Sequence, residues 1–372
     1  MSIHTSPLQP SKLEKEITII GAGTTGLSTG IFLHSLGYQP RIFEKTERRK
    51  RTKALGINPV TLQLFEKSGI TKRFLANGWK LSCMNFWYND ELIYKNHFSK
   101  VTHPYPFMLI QPQHETEQIL EDYLNELGVE IERNVELIHI TDQKNNVKLD
   151  LRHIGQESSF QLQTNGIVIG ADGNNSKVRQ ELGIELEGWV HQSPYTLYDI
   201  ELETPISHKE GHYRFSSNGV MFMLHVRDGI WRIGGNTKDM LNQLPKGTKV
   251  GKIHWESNFT ISEKIASRFS CGNIHLLGDA AHLHSPLGGK GMNLCIEDGY
   301  IFANLLNQNR VNEFETIRRK KIQKTVGLLG QLTEIASGTH LVGKTFRRSM
   351  KPFSFLFPFV MPYMRSFLLG LK

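Results

Sequence analysis

Cysteine is scarce in this 372-residue chain: only Cys83, Cys271 and Cys295 occur, scattered and odd in number. Neither a disulfide framework nor a thiolate metal site has that spacing, so a reducing, cytoplasmic setting is expected. No apolar run approaches the roughly 18 residues needed to span a bilayer, and the polar opening MSIHTSPLQPSKLEKE lacks the apolar core of a secretion signal. A transmembrane protein is not expected. Zinc-finger spacings and RNP-like aromatic motifs are also missing, so the net charge of +8 gives no case for nucleic acid. Repeats of 20 to 50 residues are absent, which sets solenoids and propellers aside.

The composition, 39% hydrophobic and 22% charged, is that of a globular protein with roughly two or three domains' worth of core. Near the start, Ile17-Thr18-Ile19-Ile20 reads as a buried strand, and Gly21-Ala22-Gly23-Thr24-Thr25-Gly26 opens a helix that stops at Gly37. Arg41-Ile42-Phe43 is a second strand, ending in Glu44. Gly21 suits a tight turn, Gly23 the approach of a pyrophosphate and Gly26 close helix packing, while Glu44 stands where a carboxylate grips ribose hydroxyls. Between two strands, this constellation predicts dinucleotide binding. Arg48-Arg49-Lys50-Arg51 with Lys53 follows directly. It reads either as a solvated loop or as cations facing cofactor phosphates or a nicotinamide donor.

Further along, Gly56 to Gly69 reads as a helix ended by Gly69, and the aromatic segment Leu81 to Tyr94 as strands leaving the nucleotide domain. Gln113 begins a helix carrying Ile119, Leu120, Tyr123 and Leu124, and a hairpin is expected over Val147 to Leu162. Ile167-Val168-Ile169-Gly170-Ala171-Asp172-Gly173 repeats the strand that ends in an acid and a glycine, with Ser176, Lys177 and Arg179 opening a helix. From Tyr195 to Phe259 short β-like segments alternate with turns, predicting an antiparallel sheet inserted between parts of a nucleotide-binding fold.

A third strand end comes late. Ile274 to Leu277 is followed by Gly278-Asp279, then Pro286, Gly288, Gly289 and Gly291, then a helical pattern from Met292. A glycine-rich turn opening a helix leaves free N–H groups and a positive dipole end toward an anionic ligand. His282 and His284 lack a third metal ligand, and a helix-turn role is expected for them. From Ile335 to Lys372 there are six basic residues and no acidic one, with the run Phe353 to Met364 between them. That composition suits either a peripheral membrane contact or aromatics folded back to close a pocket. Pro358 and Pro362 are expected to make turns there rather than sit in a helix.

Taken in order, Gly21 to Gly26 with Glu44, Gly170 to Gly173 with Ser176 and Arg179, and Gly278-Asp279-Ala280-Ala281-His282 with Pro286, Gly288, Gly289, Gly291 and Asn293 resemble the class A flavin monooxygenases. These are the para-hydroxybenzoate hydroxylase-like aromatic hydroxylases, and the likeness covers about Ile17 to Leu306. The resemblance implies an α/β fold: a Rossmann-like FAD-binding domain in three parts (1–80, 109–190, 266–325), an inserted antiparallel β-sheet substrate domain (81–108, 191–265) and a helical C-terminal tail (326–372). It implies FAD held by Gly21, Gly23, Thr25, Gly26, Glu44, Lys45, Lys53, Gln113, Asp172, Gly173, Asp279, Pro286, Gly289, Gly291, Met292 and Asn293.

It further implies NADPH or NADH as electron donor, O₂ as co-substrate, and a flavin C4a-hydroperoxide that hydroxylates an aromatic or polycyclic small molecule. Other chemistries on the same fold are epoxidation, halogenation and prenyl reduction, and antibiotic-modifying relatives resemble the tetracycline-inactivating enzymes. The Trp-x-Trp-x-Ile-Pro motif of flavin halogenases is absent, Trp231-Arg232-Ile233-Gly234 being the nearest stretch. Two departures stand out: Lys53 replaces a common arginine, which loses a planar fork of donors, and the chain is too short for the thioredoxin-like domain of longer relatives. No catalytic acid or base is assigned, although His212, Tyr213, Arg214, His225 and Arg232 lie in the presumed substrate sheet.

Overall fold

The computed structural model describes residues 16–48, 50, 54–143, 146–217, 219–286, 288–337, 345 and 351–371. Arg49, Arg51 and Lys53 of the basic run, and the basic residues Lys344, Arg347, Arg348 and Lys372, lie outside the described residues.

Three apolar strands with acid or glycine at their ends form the centre. A six-stranded sheet has the order β18 (Ser270–Cys271), β19 (Ile274–Leu276), β12 (Ile167–Gly170), β1 (Ile17–Ile20), β2 (Pro40–Glu44) and β8 (Ile131–Arg133), parallel except for the β18–β19 pair. Strands buried on both faces read as continuous apolar runs, which is why ITII and IVIG were legible. Because β1, β2, β12 and β19 run the same way, Gly21, Glu44, Gly170 and Leu276 stand at one edge of the sheet. Helix α1 (Thr24–Ser35) packs over it and is buried from Thr24 to Leu33. Side chains at Gly26 and Gly299 would collide with Gly21 O and with Thr29, so these glycines set how closely α1 meets the strand turn and the late helix Gly291–Asn307.

The stretch from Gly56 to Gly69 is not one helix. It makes β3 (Gly56–Ile57) and a short α2 (Pro59–Leu64) capped by Asn58, and Gly69, at φ +77°, starts α3 (Ile70–Asn77) instead of ending anything. Strand β3 lies beside β7 (Met108–Ile110), which also pairs with β4 (Trp79–Leu81). After β7 comes α4 (Gln113–Glu126), and β9 (Val135–Asp142), β10 (Val147–His153) and β11 (Ser159–Thr164) form the expected hairpin region. Helix α5 (Lys177–Glu181) is capped by Ser176, whose hydroxyl accepts from Arg179 N at 3.0 Å.

The inserted sheet has eight strands in the order β20 (His282–Leu283), β17 (Lys249–Ala266), β13 (Leu186–Glu203), β16 (Ile230–Gly235), β15 (Gly219–Arg227), β14 (Gly211–Ser216), β5 (Cys83–Tyr88) and β6 (Glu91–His97). Its pairs are antiparallel apart from β14 with β5. Helix α6 (Gly291–Asn307) packs against α1, and α7 (Phe314–Ser337) lies against α6 and against β15 and β17 of the inserted sheet. The tail ends in α8 (Phe357–Leu368), and here the proline expectation fails: Pro358 occupies the first turn, where no N–H is needed, and Pro362 lies inside the helix. A proline at 362 forfeits only the bond back to position 358, so the helix continues.

Candidate active site

Between the strand ends and the inserted sheet lies a cavity of about 860 Å³. Gly21, Gly23, Thr25, Glu44, Lys45, Gln113, Asp172, Gly173, Asp279, Pro286, Gly289, Gly291 and Met292 all line it. Gly26 and Asn293 do not. Gly26 serves packing, and buried Asn293 is a brace: its Oδ1 accepts from Asn58 N and Thr61 Oγ1, while its Nδ2 donates to Gly56 O and Gly289 O, all at 2.8–2.9 Å.

Each glycine of the first turn has its own reason. Gly21 has φ +109°, and a side chain there would run into the Ala171 carbonyl of the neighbouring strand. Gly23 meets only Glu117 Oε1, at 3.8 Å, so its backbone is open to the cavity. Glu44 is buried and fixed from both sides: Oε2 accepts from Ala22 N at 2.8 Å, and Oε1 accepts from Thr46 N at 2.9 Å and Thr46 Oγ1 at 2.7 Å. Burial raises the pKa of Asp172 even though Ser176 and the Val178 N–H oppose this, and its Oδ1 is buried without a partner in the protein.

Sequence reasoning missed Glu117. Its Oε1 accepts from Thr24 N at 3.2 Å, Thr24 Oγ1 at 3.0 Å and Gln113 Nε2 at 2.8 Å, so a carboxylate from α4 caps the otherwise uncapped start of α1. The i, i+4 spacing of Gln113 and Glu117 on one helix face was the available signal. The structure also separates the sheet candidates. Tyr213 and Arg232 line the cavity; His212, Arg214 and His225 do not. Arg232 is held by Asp199 through two 2.7 Å bonds, Nε to Oδ1 and Nη2 to Oδ2. Tyr213 stacks on Phe86 at 5.7 Å and its phenol is bonded to the Gly288 backbone; burial pushes its pKa up and that bond opposes it.

His282 is not in a helix turn but on β20, and its Nε2 is committed to Asp298 Oδ2 at 2.7 Å. Asp298 also accepts from Gly278 N at 2.8 Å and from Arg318 Nε at 2.6 Å, which ties α6, α7 and the Gly278-Asp279 turn together. His284 lines the cavity beside Gly291, and burial lowers its pKa. Around the apolar end, Leu81, Met84, Phe98, Met108, Ile110, Leu224 and, from the tail, Leu368 complete the wall.

The site suits FAD. The open backbone at Gly23, the anchored Glu44, the unsatisfied Asp172 and the helix starts at Gly23 and Lys290 supply what a nucleotide, a pyrophosphate and a polyol need, and an apolar compartment adjoins them.

Comparison with known proteins agrees. A family model described as "FAD binding domain" matches residues 14–232 and 237–310. An uncharacterised aromatic compound monooxygenase of Bacillus subtilis is 30% identical over 77% of this chain and 60% of its own length. The 6-methylpretetramide 4-monooxygenase of Streptomyces rimosus is 27% identical over 77% of this chain and 55% of its own, and the pentachlorophenol 4-monooxygenase of Sphingobium chlorophenolicum is 27% identical over 81% and 59%. The chain therefore spans less than two thirds of the length of these relatives. In fold, it is similar to p-nitrophenol 4-monooxygenase of Pseudomonas putida, with a TM-score of 0.83 at 18% identity over 96% of this chain and 97% of that one. The chain belongs to the FAD binding domain family.

Proposed function

We propose that the protein is an FAD-dependent monooxygenase that uses NADPH or NADH and O₂ to hydroxylate an aromatic or polycyclic small molecule. One observation carries this reading: a single cavity joins the dinucleotide turn at Gly21–Glu44 to an apolar compartment roofed by the inserted sheet. One relative is a monooxygenase of pentachlorophenol and another of 6-methylpretetramide, which supports the substrate class and leaves its member open.

FAD supplies the redox and oxygen chemistry when bound. The chain's own residues bind, orient and dry the site. Glu44 would hold the ribose hydroxyls, and Asp172, Asp279 and the start of α6 would hold the remainder of the cofactor. Leu81, Met84, Phe98, Ile110 and Leu368 exclude water from the reacting end. Tyr213 is the group that meets the substrate's oxygen. With its phenol oxygen engaged by the Gly288 N–H, the hydroxyl proton is left to be donated into the cavity, and its raised pKa keeps that proton in place at neutral pH.

The test is the visible spectrum of the purified protein, then NAD(P)H oxidation under air with a panel of phenols and polycyclic aromatics, with product analysis. Flavin bands, stimulated oxidation and an oxygenated product are expected; a protein that cannot be reconstituted with FAD sinks the reading. Tyr213→Phe is expected to keep its FAD and lose about 10- to 100-fold in kcat/KM on a phenol, the scale of one lost hydrogen bond in a buried site. An unchanged kcat/KM would remove Tyr213 from the reaction.

A further inference from the structure

Of the three cysteines, all of them described, Cys295 alone lines the cavity, and it does so from the second turn of α6. It is buried between α1 and the Gly278-Asp279 turn: a Cβ at Gly278 would stand 2.3 Å from Thr25 Oγ1 and 3.1 Å from Cys295 Sγ. Gly278 has φ +62°, so the turn closes over these two side chains because it has none of its own there. The sulfur is engaged on both sides. The Thr25 hydroxyl donates to it, and its own S–H donates to Asp279 Oδ1 at 3.5 Å. Burial, followed by the charges of Asp279 and Asp298, pushes the thiol well above its ordinary pKa, so the proton stays on sulfur.

Asp279 itself is exposed on the cavity, where a carboxylate on a turn swings freely unless a neighbour holds it. Asp298 fixes the backbone of that turn by accepting from Gly278 N at 2.8 Å. This bond sets the path of the chain and leaves the Asp279 side chain to be set by another group. A thiol suits that second task. It is small and apolar enough to be buried, and it is a weak donor. It therefore orients one carboxylate oxygen without neutralising the charge, as an arginine or lysine would.

We propose that Cys295 is a positioning residue for the cofactor: held from Thr25, it presets the Asp279 carboxylate toward the polyol hydroxyls of FAD. This inference deepens the FAD reading and rests on it, and it is independent of the substrate. Presetting a binding group reduces the ordering that the ligand must otherwise impose, so the effect falls on affinity.

The experiment is titration of the full-length apoprotein with FAD, followed by flavin fluorescence, for the native protein, Cys295→Ala and Cys295→Ser. Alanine and serine leave about the same space behind and differ in the donor, and alanine is the better helix former. Cys295→Ala should raise the dissociation constant about 5- to 10-fold, the scale of one hydrogen bond, while Cys295→Ser should stay within about 3-fold of native. The second arm repeats both substitutions in an Asp279→Ala background. There the two should differ from their parent by less than about 2-fold, because the group that Cys295 orients is gone. Thermal midpoints of the apoproteins, read in parallel, confirm that the variants fold. Native affinity in Cys295→Ala overturns the proposal, as do equal losses in the alanine and serine variants. A loss of the same size with and without Asp279 overturns it too and makes Cys295 a packing residue. A native apoprotein that binds no FAD overturns the cofactor reading itself, an outcome distinct from a native protein that binds and variants that bind equally well.

Discussion

Arg318→Met is expected to lower the unfolding free energy by about 3–5 kcal/mol, the range seen when one partner of a buried ion pair is removed. Chemical denaturation followed by tryptophan fluorescence measures it. Arg318 is fully buried and meets Asp298 at 2.6 Å through Nε and Nη2; Nη1 faces Glu297 at 3.4 Å without hydrogen-bond geometry. Burial alone would raise the Asp298 pKa, but Arg318, His282 and the Gly278 N–H outweigh it and hold the carboxyl well below the usual range. A carboxyl depressed in the folded state contributes stability above its unfolded value of about 4. That contribution fades as pH falls toward the folded value.

The difference between native protein and Arg318→Met should therefore shrink on acidification below about pH 4, because a protonated Asp298 no longer needs the guanidinium. A difference that stays constant with pH would mean that the loss is one of packing. Since Gly278 N is bonded to the same carboxylate, the variant should also bind FAD more weakly through the displaced Asp279.

Gly21→Ala is expected to weaken FAD binding by about 100-fold, summing the cost of a left-handed backbone for a non-glycine residue and of overpacking. At φ +109° a side chain would strike Ala171 O. Relief requires β1 and β12 to separate at their ends, which moves Asp172 away from the cofactor. Flavin fluorescence during titration of the apoprotein gives the dissociation constant. A Gly21→Ala protein that purifies yellow and binds FAD normally would show that the turn has slack which the geometry denies it.

Much of the nucleotide half was legible because each of its motifs is contiguous. Strand, glycine turn and helix follow one another at Ile17–Ser35, Glu44 ends an apolar strand, and Asp172 and Asp279 follow closely after two others. What the sequence hid depends on distant pairing. Glu117 caps a helix start 93 residues away, Tyr213 reaches a loop beyond position 280, and Arg318 meets Asp298 only because α6 and α7 pack together. The full lengths of β13 and β17 were not legible in a stretch that showed only short β-like segments, because their pairing shifts register at Val190/Pro194 and Asp199/Ile200, which breaks the two-residue alternation. The proline rule misled at α8 for a simpler reason: a helix held by its inner face tolerates one missing bond.

The order of strands in the nucleotide sheet also bears on how the chain acquires its fold during synthesis. Ile17 pairs with Ile167, and Val168 pairs with Ile274, so β1, once synthesised, waits for its inner neighbour, and that neighbour waits again. Non-local pairing of this kind makes folding slow and leaves apolar strands uncovered meanwhile. Until Ile274–Leu276 has been translated and docked, Asp279 has no fixed place, and the nascent polypeptide has nowhere to receive its cofactor. Chaperone dependence and flavin supply during translation, more than equilibrium stability, should then set how much active protein a cell obtains.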